Sequence, residues 1–271
     1  MIFSILAIST SLVLAAPPDK ALIDQLPQCK DLQSCEAVLS LKKRGKKAHS
    51  SLIAALSHEK EMVRFWVCGI LSETTPKAAF DPLIGALKDK EIRIRAAAAF
   101  ALGNYQDKKA TQALLQSLVD KDLNVRFAAA VALGKIRDPA SVNGLINALR
   151  DKDEDVRAFA AVALGDIGDA RALNRLVERL REDLKKEVRG LACVALGHLK
   201  NTQGVPAMTQ AVQSDSDELV RAECALALGQ IGGPEARTSL NMAATLDKSP
   251  QVKKAAKDAL RQLDAAKKGS R

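Results

Sequence analysis

Between about residues 45 and 263 the chain alternates two hydrophobic patterns. The first puts apolar residues at helical spacing among polar ones, as at Val142, Leu145, Ile146 and Leu149. That is one apolar stripe, and it predicts an amphipathic helix starting near Asp138-Pro139. A polar turn follows, Arg150-Asp151-Lys152-Asp153-Glu154-Asp155. The second pattern, from about Glu154 to Leu164, is nearly all small and apolar. A helix of that composition has to be covered on most sides. Gly165 is placed to stop it by turning left-handed.

This two-helix phrase recurs. Ile94-Arg95, Val125-Arg126, Val156-Arg157, Val188-Arg189 and Val220-Arg221 each precede an alanine-rich stretch and a Leu-Gly. The arginines stand 31, 31, 32 and 32 residues apart, with weaker copies at Arg64 and Lys253. A fixed period near that length with helical content means stacked helix pairs, each hiding its apolar side on the next. The expected fold is therefore all-α: an alpha-alpha superhelix of about seven two-helix repeats behind an N-terminal capping helix pair. The expected divisions are residues 1–16 as signal peptide, 17–45 as cap, 46–263 as solenoid and 264–271 as a basic tail.

The polar turns repeat as well. Asp89, Asp120, Asp151, Asp183 and Asp215 each stand six residues before a repeat arginine, and Glu91, Asp122, Asp153 and Asp217 stand four before. The second set suits helix N-caps. The first set predicts a structural ladder in the seams between repeats, with Arg95, Arg126, Arg157, Arg189 and Arg221 meeting Asp carboxylates of their own turn and of a neighbouring one. A feature present in every repeat is structural rather than catalytic. Single repeats depart from it: His58, Lys60 and Ser72 replace the two acids and the Gly in the first, and Lys185 replaces an acid in the fifth.

The run Asp120-Lys-Asp-Leu-Asn-Val125-Arg126-Phe-Ala-Ala-Ala-Val-Ala-Leu133-Gly134 and its copies resemble the HEAT-repeat superfamily, most nearly the short HEAT-like repeats of phycobilisome lyases. The resemblance covers about 45 to 263. It implies the fold, and it implies second helices lining the concave side. For function it leaves lyases, iron hydroxylases, nucleic-acid enzymes and plain adaptors open. One and two residues after the arginines stand Phe65, Trp66, Phe127, Phe159 and Leu191. They are the candidate partner-binding residues of a shallow apolar trough that suits a peptide or a partner helix.

Composition narrows the choice. Aromatics are 3% and the net charge is +9, concentrated in Lys42, Lys43, Arg44, Lys46 and Lys47 and again from Lys253 to Arg271. These clusters would attract an acidic surface. Met1 to Ala16 carries no charge, has an apolar stretch too short to favour a spanning helix, and ends in small residues. That predicts export to the periplasm or outside the cell after cleavage. Cys29 and Cys35 then become a candidate disulfide in the cap. Cys68, Cys193 and Cys224 occupy alanine positions and read as small buried hydrophobes.

Catalytic chemistry lacks its residues. His49, His58 and His198 are separated by 9 and 140 residues and form no cluster, so a metal or cofactor is not expected. The iron hydroxylases of this superfamily use repeated His-Glu pairs, and only His58-Glu59 is present. The trough columns hold almost no Lys or Arg, which weighs against nucleic acid or a DNA glycosylase-like enzyme. A lyase or lyase-accessory role has no support beyond the repeat. The expectation is a monomeric, non-catalytic scaffold or adaptor for a protein or peptide partner.

Overall fold

The computed structural model describes residues 17–269, with side chains described as far as Ala265. The expected signal peptide lies outside the described residues. The described chain holds sixteen α-helices and no strand. Helices α1 (Asp19–Gln25) and α2 (Glu36–Arg44) form the cap. Seven pairs follow. The outer member of each pair is α3 (His49–Ala55), α5 (Phe80–Ala86), α7 (Thr111–Ser117), α9 (Val142–Ala148), α11 (Leu173–Glu182), α13 (Val205–Ser214) or α15 (Pro234–Leu246). The matching inner helices are α4 (Glu61–Thr74), α6 (Ile92–Tyr105), α8 (Leu123–Ile136), α10 (Glu154–Ile167), α12 (Lys186–Leu199), α14 (Glu218–Ile231) and α16 (Pro250–Gly269). The chain is an all-α solenoid with an N-terminal capping pair.

Local chemistry sets the helix starts. Asp122, Asp153 and Asp217 cap α8, α10 and α14, each accepting the N–H two residues on. Asp138 does the same for Ala140 in the single tight turn that leads into α9. The stops differ from the sequence reading. Gly165 is inside α10, and the helix ends three residues later at Gly168, which carries the positive φ of 74°. At the same place α4, α6, α8 and α12 end on left-handed Thr75, Gln106, Arg137 and Lys200. No glycine is required there.

The Leu-Gly glycine has another job. A Cβ built on Gly165 would lie 2.7 Å from the Cα of Ala195 in the next inner helix, and one on Gly103 would lie 2.8 Å from the Cα of Ala132. Glycine facing alanine brings consecutive inner helices to backbone contact. Inner helices therefore pack along their length, while outer helices meet their outer neighbours much less. The stack bends toward the inner side, and the inner helices line its groove. Leu102, Leu133, Leu164, Leu196 and Leu228 run through the core between the two layers.

The ends are closed differently. In the cap, Arg44 pairs with Asp19, and Cys29 and Cys35 are joined across a Cα separation of 5.4 Å. The joined loop drops Leu32 onto Gly69 of α4, where a Cβ would meet the Leu32 side chain at 2.9 Å. At the other end α16 runs on to Gly269. It takes most of the segment read from sequence as a tail into helix.

Candidate functional site

The ladder is continuous across the described repeats. Arg64, Arg95, Arg126, Arg157, Arg189 and Arg221 each grip one carboxylate of the following repeat: Asp89, Asp120, Asp151, Asp183, Asp215 and Asp247. The grip is bidentate. In the middle rung Arg157 Nε donates to Asp183 Oδ2 at 2.8 Å and its Nη2 to Oδ1 at 2.9 Å. The remaining nitrogen, Nη1, donates to the main-chain carbonyls of Asp151 and Lys152. This corrects the expected pairing. An arginine meets its own turn through carbonyls and only the next turn through a carboxylate. The cause is the second bond each Asp makes: Asp183 Oδ1 also accepts the N–H of Lys185, which aims the carboxylate back at the preceding repeat. His58 copies half of this role, accepting the N–H of Lys60 on Nδ1.

The same arrangement sets the protonation of the rungs. Burial pushes the Asp151, Asp183 and Asp215 carboxyls up, but the guanidinium fork and the main-chain N–H together pull harder, leaving all three below the usual carboxylate range. For Asp120 and Asp247 the arginine bond is the leading cause of the same downward shift. In the middle rung Nε, Nη1 and Nη2 all make bonds, so the guanidinium is occupied in holding the stack together,.

The groove is built from one stripe of each inner helix. Residues two before, two after, five after and nine after the ladder arginine lie on one helical face. Phe65, Trp66 and Phe127 come together there, with Leu32, Ala97 and Phe100, around an open pocket of about 460 Å³. Ring centroids of Phe100 and Phe127 lie 5.9 Å apart, and those of Phe127 and Phe159 lie 4.7 Å apart, both edge-on. Phe159 thus extends the aromatic wall although it does not line the pocket. Leu191 sits partly buried on α12, beyond the aromatic run. Trp66 is deeper than a free-standing anchor, 7% exposed, and its indole Nε1 has no hydrogen-bond partner among the described residues.

The column five residues after each arginine escaped the sequence reading: Phe100, Val131, Val162, Val194 and Leu226. All are exposed or half-exposed, Phe100 at 36% and Leu226 at 37%, and they form the midline of the groove. The signal was available. In helices that are small and apolar almost everywhere, a bulkier residue at the same offset from the arginine in each repeat marks the face with no neighbour to crowd it.

Cysteines complete the picture. Cys193 and Cys224, read from sequence as separate buried hydrophobes, are fully buried but face one another across α12 and α14, joined with their Cα atoms 5.0 Å apart. One sits four residues after its arginine and the other three, so their side chains meet in the seam between consecutive inner helices. Cys68 is a buried free thiol, pushed up to about 12 by burial. Among the described residues no group of three or more His, Cys, Asp or Glu side chains is placed to hold a metal ion. His198 Nδ1 lies 3.7 Å from Asp166, and His49 and His58 stand in the first repeat, far along the stack.

Comparison with known proteins agrees with this geometry. A family model described as HEAT repeats matches residues 80–147, 140–192 and 174–261. No curated protein matches the sequence. Among solved structures, the Escherichia coli protein YibA superposes with a TM-score of 0.62 at 21% identity, covering 92% of this chain and 98% of its own. The complex of CpcE and CpcF of the phycocyanin lyase from Nostoc superposes with a TM-score of 0.53 at 22% identity, covering 79% of this chain and 92% of the other. An engineered protein gives 0.57 at 21% identity, over 91% of this chain and 71% of its own. At these identities the likeness is one of fold.

Proposed function

Because the chain belongs to the HEAT-repeat family, we propose that it is a non-catalytic adaptor whose inner groove receives a segment of a protein partner. One observation carries the reading: an apolar midline, Phe100 to Leu226, left exposed or half-exposed along the inner helices and flanked by the half-buried Phe127, Phe159 and Leu191. An exposed contiguous apolar strip rimmed by polar residues marks an interaction surface. The relative from Nostoc is itself a complex of two proteins, which supports association as a use of this architecture. Duplex nucleic acid is disfavoured, because a phosphate backbone needs a run of cations along the groove. The stripe offers Arg93 and Lys135, and Lys135 is already bonded to Asn104. Export to an oxidising compartment is part of the proposal. The uncharged apolar start and the Cys29–Cys35 and Cys193–Cys224 links support it,.

The test is selection from a displayed random peptide library with the full chain. Enriched peptides should lose at least about tenfold in affinity to Phe100→Ala and Phe127→Ala, the size of loss that truncating an interface anchor produces. Phe100 is 36% exposed and packs on Phe127, so Phe100→Ala should lower the thermal unfolding midpoint slightly while leaving the helical signal intact. Failure to enrich any peptide, or affinities indifferent to both substitutions, would overturn the adaptor reading.

A further inference from the structure

The groove changes character along its length. Its first part, from α4 to α8, is aromatic: Phe65, Trp66, Phe100 and Phe127 around the open pocket. Its second part, on α10, α12 and α14, is acidic. On the same stripe or at its edge stand Asp155, Asp166, Glu187, Glu218 and Glu223. All are exposed or half-exposed. This runs against the charge of the whole chain, which is +9.

Neighbouring cations do not cancel the acidic part. Lys185 is held by Glu154 at 2.7 Å, and Lys186 by Asp217 at 3.2 Å. His198 faces Asp166. Asp155, Glu187, Glu218 and Glu223 form no ion pair among the described residues. The floor between them is low, with buried Ala158, Gly190 and Ala222 in register on the three helices. Glu223 lies over that floor, its Cγ 3.9 Å from where a Gly190 Cβ would be. At the aromatic end Trp66 adds a buried indole N–H without an acceptor on the pocket wall.

Resting on the adaptor reading above, we infer that the partner segment has an apolar end and a Lys/Arg-rich end. The apolar end seats in the Phe100–Phe127 pocket, and the basic end lies over Asp155, Glu187 and Glu223. Adjacent packed helices are about 8–10 Å apart. From α8 to α10, where the acids begin, is thus about 10 Å, or about three residues of extended chain. The basic run should begin about that far from the apolar anchor. Opposite charge along the groove fixes which way the segment lies, because complementarity governs register and partner choice more than raw affinity.

The experiment uses the full chain and three labelled 14-residue peptides read by fluorescence anisotropy. The first carries a Leu/Phe cluster followed by a Lys run, the second the same cluster followed by a Glu run, and the third the Lys run alone. The first should bind at least about tenfold tighter than either other, and its advantage should shrink at high salt. The triple variant Asp155→Lys/Glu187→Lys/Glu223→Lys alters exposed or half-exposed side chains, so a retained helical signal is expected. It should reverse the preference between the first two peptides. A photo-crosslinker at the apolar end should label α6 or α8, and one at the basic end α12 or α14. Equal binding of the first two peptides overturns this inference and leaves the adaptor reading intact. Crosslinks in the opposite order overturn it too. No binding by any peptide, together with an unproductive library, removes both. Concentration-dependent self-association that the triple variant abolishes would make a second copy the occupant and overturn the assignment to a partner.

Discussion

Arg157 shows how much one side chain does in this architecture. Its guanidinium closes the seam to the next repeat through Asp183, whose side chain is 1% exposed, and closes its own turn through two carbonyls. Removing it leaves a buried carboxylate with only the longer 3.4 Å contact to Arg179 as a charged partner. Arg157→Ala should therefore cost about 3 kcal/mol, as for the loss of one member of a buried pair. Chemical denaturation measures it. A loss under about 0.5 kcal/mol would place the rung among ordinary surface pairs, whose worth is that small. Part of this was legible beforehand. Asp and Arg at a constant offset in every turn pointed to a ladder, but the direction of each pairing was not legible, because it depends on a carboxylate being tied down by the N–H of the residue two further on.

At the scale of the helix, glycines that look alike in sequence do opposite things. Gly165 and Gly190 both sit inside inner helices. A methyl group on Gly165 would run into the backbone of Ala195 at 2.7 Å, and main chain cannot turn aside. A methyl group on Gly190 would meet nothing nearer than the flexible Glu223 side chain at 3.9 Å. Gly165→Ala should destabilise by about 1–3 kcal/mol, the range for overpacking a tight contact. Gly190→Ala should stabilise by about 0.5–1 kcal/mol, the usual gain of alanine over glycine in a helix interior. The two unfolding midpoints, measured side by side, should move in opposite directions. In the sequence the Leu-Gly glycine reads as a helix stop. Local propensity supports that role, and only the neighbouring helix reveals the other.

Across the whole molecule the ladder makes stability depend on pH in one direction. The rung carboxyls Asp89, Asp120, Asp151, Asp183, Asp215 and Asp247 all titrate below the ordinary value of 3.8 when folded. The unfolded chain therefore binds protons first. The contribution of these groups is fully present above that value and is lost as pH falls below it through the folded range. The thermal midpoint should be flat from neutrality to about pH 5 and fall steeply below about pH 4. Arg157→Ala should make the fall shallower by removing one rung. A wild-type midpoint indifferent to acid would show that the rungs contribute nothing.

Repetition is what made this chain readable. Period, helix pairing, the capped starts and the ladder residues all recur. A pattern that recurs must serve something present in every repeat, and the one thing present in every repeat is the contact with the next. The solenoid follows from the sequence for that reason. Tertiary structure decided what repetition does not specify. Whether Trp66 stands free or sinks into the wall, whether Cys193 reaches Cys224, and which column becomes the groove midline depend on how closely neighbouring helices approach. Phe100, Val131 and Leu226 are as apolar as the core. They are exposed because the inner helices, drawn together by glycine against alanine, leave that face with nothing to pack on.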